Sequence, residues 1–207
     1  MPSQTFFNLP KEKQKSIYES AIKEFSRVSY DEASINQIIH NANISRGSFY
    51  MYFEDKEDLY DYLLTIHKEK FSLIEKQIFE ENGGDLLKSY QALFLKFIKK
   101  INHNRHKKFF QNIILNANFK NVSVLPTRNI DVEKNRTERL ISYINKEKLN
   151  ITKEEDLYDI VDLCNMCLIH SLIKIIKWNE DVDCVYQKFE HQLLLLKKGL
   201  YKEDSYD

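Results

Sequence analysis

The fold is decided by residues 34–53, which read SINQIIHNANISRGSFYMYF. In the first half of this stretch, apolar residues recur at the spacing of one helix face: Ile35, Ile38, Ile39 and Ala42. Ser34 is the expected N-cap of this helix, and Asn43 is expected to end it because asparagine tolerates a left-handed backbone. Ser45 is the expected cap of a second helix, 46–52. The stretch therefore predicts two short helices joined by a tight turn, with Ile44 filling the corner.

The second helix divides its residues between the protein interior and the outside. Phe49 and Phe53 are expected in the core. A helix-turn-helix places its second helix in the DNA major groove, so the remaining side chains are candidate DNA contacts: Arg46, Gly47, Ser48, Tyr50 and Tyr52. Arg46 is the only strong cation on this helix, and it can read a guanine with two hydrogen bonds or bind a phosphate.

Further DNA contacts are expected around this helix. The hydroxyls of Ser34, Ser45 and Ser48 can donate to phosphates, cap helices, or do both. Gly47 has no side chain, which allows close approach either of DNA or of a neighbouring helix. Tyr50 and Tyr52 are expected near the groove walls, and Lys56 is expected to meet a phosphate together with the N-terminus of the next helix.

The residues ISRGSFYMYF at 44–53, followed by Lys56-Glu57-Asp58-Leu59, closely resemble the DNA-binding domain of the TetR family of bacterial transcription repressors. The resemblance covers roughly residues 10–60, and the rest of the chain resembles the family only in length and helical character. Asn43 stands where glycine is commoner, and Met51 where His or Tyr is frequent. The resemblance implies the same DNA-contact roles, a homodimer and a small-molecule effector bound by the C-terminal domain.

Composition limits the ways in which the chain can bind DNA. The 207 residues carry 31 basic and 31 acidic side chains, and residues 1–56 hold seven of each. DNA binding must therefore rest on the placement of a few charges. No apolar run is long enough for a membrane span, no secretory signal is recognisable, and three cysteines do not indicate a disulfide framework. The expected location is cytoplasmic.

Helical periodicity runs through the chain, and it predicts an all-α fold of about nine helices. Beside the helix-turn-helix pair, the expected helices cover residues 10–28, 55–81, 85–102, 106–120, 127–147, 153–178 and 182–201. Gly83-Gly84 is the clearest break, and Leu125-Pro126 marks a turn. We expect a three-helix DNA-binding domain at 10–56, with its motif at 34–53, and a helical ligand-binding and dimerisation domain at 57–207.

The last two helices are apolar on almost every side. Such helices need cover in more than one direction, which a second copy of the chain can supply in a two-fold four-helix interface. A central core helix in a monomer is the alternative. The dimer is preferred, because two-fold symmetry also suits a palindromic operator.

The middle of the chain has a charge asymmetry, since residues 86–130 contain nine bases and no acid. This window either packs near the acidic C-terminal half or attracts an anion. Its phenylalanines would suit an apolar or anionic effector, such as a fatty acid or acyl-coenzyme A. The expected pocket residues are drawn from the middle and late helices: Tyr62, His67, Phe94, Phe97, Phe110, His170 and Trp178.

The predicted function is that of a ligand-responsive DNA-binding regulator, a repressor that a small molecule releases from its operator. One alternative is a redox or metal sensor built on Cys164, Cys167 and His170, although buried thiols in an interface helix are the preferred interpretation. The other is a helical-bundle enzyme, but no Glu-x-x-His pair, P-loop, dinucleotide fingerprint or nucleophile elbow occurs. No enzyme activity, metal or cofactor is expected.

Overall fold

The structure is a computed structural model, and it describes residues 1–103, 107–115 and 130–200. These residues form helices and no β-strand, which confirms the predicted all-α class. Ten α-helices lie in the described ranges, and nine of them have seven or more residues: α1 Gln4–Phe7, α2 Lys11–Arg27, α3 Ile35–Ala42, α4 Arg46–Tyr52, α5 Lys56–Glu81, α6 Leu86–His103, α7 Lys107–Leu115, α8 Ile130–Tyr143, α9 Asp156–Lys177 and α10 Val182–Leu200. None of these helices is long and apolar enough to cross a membrane.

Most helix bounds agree with the sequence periodicity, and two features of the described residues differ clearly. The short helix α1 was not expected. Helix α8 ends at Tyr143 and not at residue 147, because the Asn145 N–H donates to the Gly84 carbonyl at 2.9 Å and leaves the helix. A 3-10 turn, Lys146–Lys148, follows. The turn expected at Leu125-Pro126 and residues 116–120 of the predicted sixth helix lie outside the described residues.

The chain divides into two compact units. The first comprises residues 1–70 and 104–116, and the second comprises residues 71–103 and 117–207. The first unit thus holds the predicted 10–56 segment together with the beginning of α5 and all of α7. Helix α7 belongs there because the Asn112 amide donates to the carbonyls of Phe25 and Val28, at 2.8 and 3.2 Å, at the end of α2.

The core of the first unit is built around α2. Its inward face carries four residues at helical spacing, all at most 2% exposed: Ile17, Ala21, Ile22 and Phe25. Phe49 and Phe53 are likewise buried, at 0% and 1% exposure, as the sequence predicted. Leu59 and Leu63 of α5 complete this core. The recognition helix α4 is therefore fixed to the unit through two aromatic side chains at its C-terminal end.

The core of the second unit lies among α5, α6, α9 and α10. Phe94 stacks on Phe189 with ring centroids 5.1 Å apart, and Phe71 packs on Phe97 at 4.6 Å. Between α5 and α6, Gly83 and Gly84 have φ values of 59° and 71°, which confirms the predicted helix break. A Cβ on Gly84 would lie only 2.7 Å from backbone atoms of residues 143 and 145, so this position requires glycine for space as well as for conformation.

Candidate DNA interface and effector domain

The turn and cap between α3 and α4 form as their residue types predicted. Asn43 ends α3 in the left-handed region, with φ 50° and ψ 55°. The Ser45 hydroxyl accepts from the Ser48 N–H at 3.0 Å and thereby caps α4. Ser34 occupies the predicted N-cap position of α3, but its side chain makes no capping hydrogen bond. Its own N–H instead donates to the buried carboxylate of Glu24 at 2.9 Å.

Arg46 is the centre of an exposed polar cluster. Its Nη1 donates to Asn36 Oδ1 at 2.7 Å, and its Nη2 donates to the Tyr50 hydroxyl at 3.4 Å. The guanidinium also lies 5.6 Å from the centroid of the Tyr50 ring. These contacts hold the guanidinium over α4 in one orientation. Its other N–H donors remain available to an acceptor outside the protein. Asn36, on α3, was not among the expected site residues, because an exposed polar residue on a helix carries no signal at the sequence level.

Gly47 lies on the exposed surface of α4 beside Arg46. A Cβ added there would meet only the Ser45 hydroxyl, at an ordinary van der Waals distance of 3.9 Å. Packing inside the described part of the protein therefore does not require glycine at this position. Of the two sequence interpretations, close approach of an external molecule is the one that the surroundings of Gly47 favour.

The remaining aromatic and sulfur side chains of α4 differ in exposure. Tyr50 is 46% exposed and Met51 is 61% exposed, so both lie on the outer side of the helix. Tyr52 is half-buried, and its ring lies 6.3 Å from that of Phe6. A phosphate contact through the Tyr52 hydroxyl stays a prediction. Met51 adds an apolar contact point that the sequence left undetermined.

Lys56 has a different environment from the one expected of a phosphate ligand. Its ammonium donates to three backbone carbonyls of the preceding loop, those of Tyr30, Asp31 and Ala33, at 2.8, 3.1 and 3.2 Å. The same ammonium lies 4.6 Å from the centroid of the Tyr30 ring. Because an ammonium has three N–H donors, this arrangement uses all of them to hold the loop before α3. A phosphate contact through Lys56 would have to compete with these bonds.

Residues 3–7 form a clamp on the C-terminal end of α4 that the sequence interpretation missed. Ser3 donates twice: its hydroxyl to the Met51 carbonyl at 2.6 Å, and its N–H to the Tyr52 carbonyl at 2.9 Å. The last carbonyls of a helix lack partners within the helix, so Ser3 supplies donors that α4 needs. Phe6 is fully buried, and its ring lies 4.9 Å from that of Phe53. Two phenylalanines before a helix-breaking proline are the only signal that this segment gives.

Glu24 is a buried charge that fixes the entry to α3. Its side chain is 1% exposed, and it accepts from Arg27 Nε and Nη2, each at 2.9 Å, as well as from Ser34 N–H. The hydrogen bonds from Arg27, followed by the one from Ser34, outweigh the burial and lower the pKa of Glu24. The carboxylate therefore holds the turn before the helix-turn-helix in its charged form.

The seven expected effector residues are divided between the two units. Tyr62, His67 and Phe110 belong to the first unit. Tyr62 packs on Phe6, with ring centroids 5.2 Å apart. His67 is 5% exposed, its Nε2 lies 3.0 Å from the Tyr18 hydroxyl, and its ring contacts Phe110 at 4.8 Å. These three residues therefore contribute to the aromatic interior of the DNA-binding unit.

The other four expected effector residues belong to the second unit, so neither unit holds the whole set. Phe94 and Phe97 are core residues at 0% and 7% exposure. His170 is exposed and meets the edge of Trp178, which is 54% exposed. His170 also lines a groove of about 450 Å³ between α9 and α10, together with residues such as Lys174, Lys188 and His191.

The second unit also encloses a buried polar cluster. The Tyr90 hydroxyl donates to Asn165 Oδ1 at 2.9 Å, and Glu75 forms an ion pair with Arg136, the two side chains being 3% and 11% exposed. Two buried atoms of this unit, Asn165 Nδ2 and Ser89 Oγ, have no hydrogen-bond partner among the described residues. Burial raises the pKa of Tyr90 well above its ordinary value, so its hydroxyl stays a neutral donor. Unpartnered buried polar atoms are uncommon, and they mark this cluster as a candidate contact for a polar ligand atom.

The cysteines lie in environments that do not favour reactivity. Cys164 is buried and Cys167 half-buried, and in both cases burial raises the pKa of the thiol. A raised pKa disfavours the thiolate, which is the form that binds metal and reacts with oxidants. Within the described ranges, no three His, Cys, Asp or Glu side chains are grouped so that they could hold a metal ion. The sensor alternative built on Cys164, Cys167 and His170 gains no support.

The comparisons with known proteins agree with this arrangement. Residues 17–63 match the family described as bacterial regulatory proteins, tetR family, and residues 85–200, more than half of the chain, match the tetracyclin repressor-like C-terminal domain. The protein is therefore a helix-turn-helix DNA-binding regulator and not an enzyme. The chain belongs to the TetR family of bacterial transcriptional regulators.

Two relatives from Bacillus subtilis strain 168 match the N-terminal part. The chain is 40% identical over 60 residues to the uncharacterized HTH-type transcriptional regulator YuxN, across 29% of this chain and 21% of the relative. It is 29% identical over 72 residues to the HTH-type regulator YdgC, across 35% and 37%. The chain thus matches well under half of the length of these relatives.

Solved structures of similar fold cover nearly the whole chain. A TetR-family regulator from Pectobacterium atrosepticum has a TM-score of 0.63 at 17% identity, covering 93% of this chain and 96% of its own. One from Chloroflexus aurantiacus has a TM-score of 0.52 at 20% identity, covering 98% and 100%. At these identities the likeness establishes the fold alone.

Proposed function

We propose that this protein is a repressor that binds a palindromic operator as a homodimer and is released from it by a small-molecule effector. The observation that carries the proposal is the Arg46–Asn36–Tyr50 cluster on the exposed side of α4. Helix α4 has no acidic residue. Its exposed side combines the oriented guanidinium of Arg46, the exposed ring of Tyr50, and Gly47, whose position is not required to be glycine by packing within the protein. Such a surface suits a major groove. The protein acts where the chromosome is, in the cytoplasm.

A homodimer is supported by the exposed apolar surface of α9 and α10. Leu163, Met166, Leu194 and Leu195 are between 45% and 54% exposed, which is unusual for a group of large apolar side chains on two adjacent helices. A two-fold dimer would cover this surface, and it would present two α4 helices to half-sites about 34 Å apart.

An effector site is supported by the buried polar cluster of the second unit. A buried donor or acceptor without a partner costs about 1–3 kcal/mol, and a ligand acceptor atom next to Asn165 Nδ2 or next to Ser89 Oγ would recover that free energy. The same unit also buries apolar and aromatic side chains such as Phe79, Leu93 and Phe94, which suit a ligand with an apolar body and a carbonyl, ether or carboxylate oxygen. Helix α5 contributes residues 56–70 to the first unit and residues 71–81 to the second. It is the element through which an effector would act on DNA binding.

Release requires a difference in effector affinity between two states of the protein. The effector must bind the state that cannot bind DNA more tightly than the competent state, and DNA must then weaken effector binding by the same factor.

The test is binding of the purified chain to a fluorescent DNA fragment from directly upstream of its own gene, and, if needed, to fragments selected from random DNA. Arg46→Ala and Tyr50→Ala are expected to remove most of the specific binding, with a loss of about 1–3 kcal/mol for Arg46. Arg139→Ala is the matched control, because Arg139 is an exposed arginine on α8 in the second unit. Specific binding that survives Arg46→Ala would refute the assigned interface.

A further inference from the structure

The groove between α9 and α10 lies at the end of these helices where the chain passes from one to the other. Its volume of about 450 Å³ is within the range of small-molecule sites. Helix α9 contributes His170, Ser171 and Lys174, and α10 contributes residues between Cys184 and Gln192. Only a short connection separates the two helices, so they run antiparallel. The groove is therefore built from the last turns of α9 and the first turns of α10.

The charged side chains that line this groove all have the same sign. Lys174 and Lys188 line it, and neither forms an ion pair within the described part of the chain. No lining residue is acidic. The acid in this part of α10, Glu190, accepts from Gln91 of α6 at 3.3 Å and does not line the groove. Two cations without a counter-charge repel each other, and a small anion between them would replace that repulsion by attraction.

The single tryptophan of the chain lies at the same end of α9. Trp178 follows Lys174 by four residues, so the two side chains are neighbours on the same side of the helix. The His170 ring contacts the indole, with ring centroids 6.3 Å apart and an angle of 88° between the planes. Trp178 nonetheless stays 54% exposed. An exposed indole provides a surface on which a planar ring can stack.

We propose that this groove binds a small organic phosphate that carries a planar ring, a ligand of the mononucleotide class. Lysine ammonium groups bind phosphate as point charges, so Lys174 and Lys188 hold the phosphate group. The ring of the ligand stacks on Trp178. The exposed amides of Gln187 and Gln192, which also line the groove, supply hydrogen bonds to the polar part between the ring and the phosphate.

This site is separate from the surfaces used in the proposed function. On α9, Leu163 and Met166 precede the groove residues, and on α10, Leu194 and Leu195 follow them. Because the helices run antiparallel, this apolar surface lies toward the other end of the helix pair. The buried polar cluster, to which α9 contributes Asn165, is also distinct, since Asn165 does not line the groove. The ligand proposed for the groove is thus additional to the effector.

The test is calorimetric titration of the full chain with adenosine monophosphate, adenosine and ribose phosphate. The nucleotide is expected to bind about tenfold more tightly than either fragment, because it alone contacts both the lysines and the indole. Lys174→Gln and Lys188→Gln should each weaken nucleotide binding about tenfold and leave adenosine binding unchanged. Trp178→Ala should weaken nucleotide binding about tenfold and leave ribose phosphate binding unchanged. Lys148→Gln, at an exposed lysine elsewhere in the second unit, is the matched control and should bind like the wild type.

Alkylation of Cys184 by iodoacetamide locates the bound nucleotide, because this exposed thiol lines the groove whereas Cys164 is buried. Saturating nucleotide is expected to slow the alkylation of Cys184 several-fold, measured by peptide mass spectrometry. The proposal is overturned if the nucleotide does not bind, if it binds equally well to both lysine variants, or if it leaves Cys184 unprotected. A fragment that binds as tightly as the whole nucleotide would contradict recognition of both the ring and the phosphate.

Discussion

Helices α4 and α9 show two ways in which this chain specifies a helix. Helix α4 has seven residues, too few to be stable alone, and it depends on the Ser45 cap and on Ser3 for its free backbone groups. Helix α9 has 22 residues and buries nine of them. Its N-cap residue makes no side-chain capping bond, so packing holds it. Thus the functional helix relies on a few identifiable polar contacts, while the structural helix relies on distributed apolar burial.

The largest expected effect comes from removing the aromatic anchor behind α4. Phe6→Ala should lower the free energy of unfolding by about 3–5 kcal/mol, because it empties a fully buried aromatic position. Phe7→Ala, at a neighbouring position that is 42% exposed, should cost much less. Urea denaturation of both variants checks this. Equal losses would show that residues 3–7 are not the support of α4.

The next effect tests the close backbone approach at Gly84 in the second unit. Gly84→Ala should destabilise by about 3 kcal/mol, because the new Cβ meets backbone atoms at 2.7 Å and the residue has a positive φ. Gly83→Ala is the matched control: it has a similar φ but no atom within 4 Å, so only the conformational cost of about 1 kcal/mol remains. Thermal denaturation should rank the two variants in that order, and a reversed order would contradict the account of this turn.

A smaller effect concerns acid stability of the DNA-binding unit. The folded pKa of Glu24 is lowered by the Arg27 hydrogen bonds, so its contribution is present above the unfolded pKa of about 4.3 and disappears as pH falls through the folded value. Screening at the half-exposed Arg27 limits this contribution to about 1 kcal/mol. Glu24→Gln should therefore be destabilised at pH 7 and lose less stability than the wild type between pH 5 and 3. Parallel stability curves would contradict this role.

The smallest effect on stability should accompany a clear effect on function. Gly47→Ala is expected to leave the fold unchanged or stabilise it by up to about 1 kcal/mol, since alanine is the better helix former and the site is open. The added methyl group should nonetheless weaken operator binding several-fold, because it lies on the surface that approaches DNA. Melting curves and DNA titrations of the same preparation separate the two. Unaltered DNA affinity would place Gly47 outside the interface.

Much of the first unit could be predicted because its information is local. The positive φ of Asn43, the Ser45 cap and the burial of Phe49 and Phe53 follow from residue types a few positions apart. The hydrogen bonds of the Lys56 ammonium could not be predicted, because its three acceptors are carbonyls 23 to 26 residues away, and the chain must fold before they meet. The partnership of Arg46 with Asn36 has the same cause.

The effector residues were the weakest prediction, since aromatic residues at helical spacing describe a core and a pocket equally well. The structure instead draws attention to Asn165 and Ser89, whose unpartnered polar atoms become visible only when burial is known.

By itself, the sequence determined the helical class, the position of the helix-turn-helix and most helix bounds, because periodicity and caps act over one or two turns. Tertiary structure alone decided which charged side chains are hydrogen-bonded within the protein and which keep donors for an outside partner. It also decided how residues 3–7 support α4 and why position 84 requires glycine. These depend on distances between segments far apart in the chain, and such distances exist only once the apolar faces have packed.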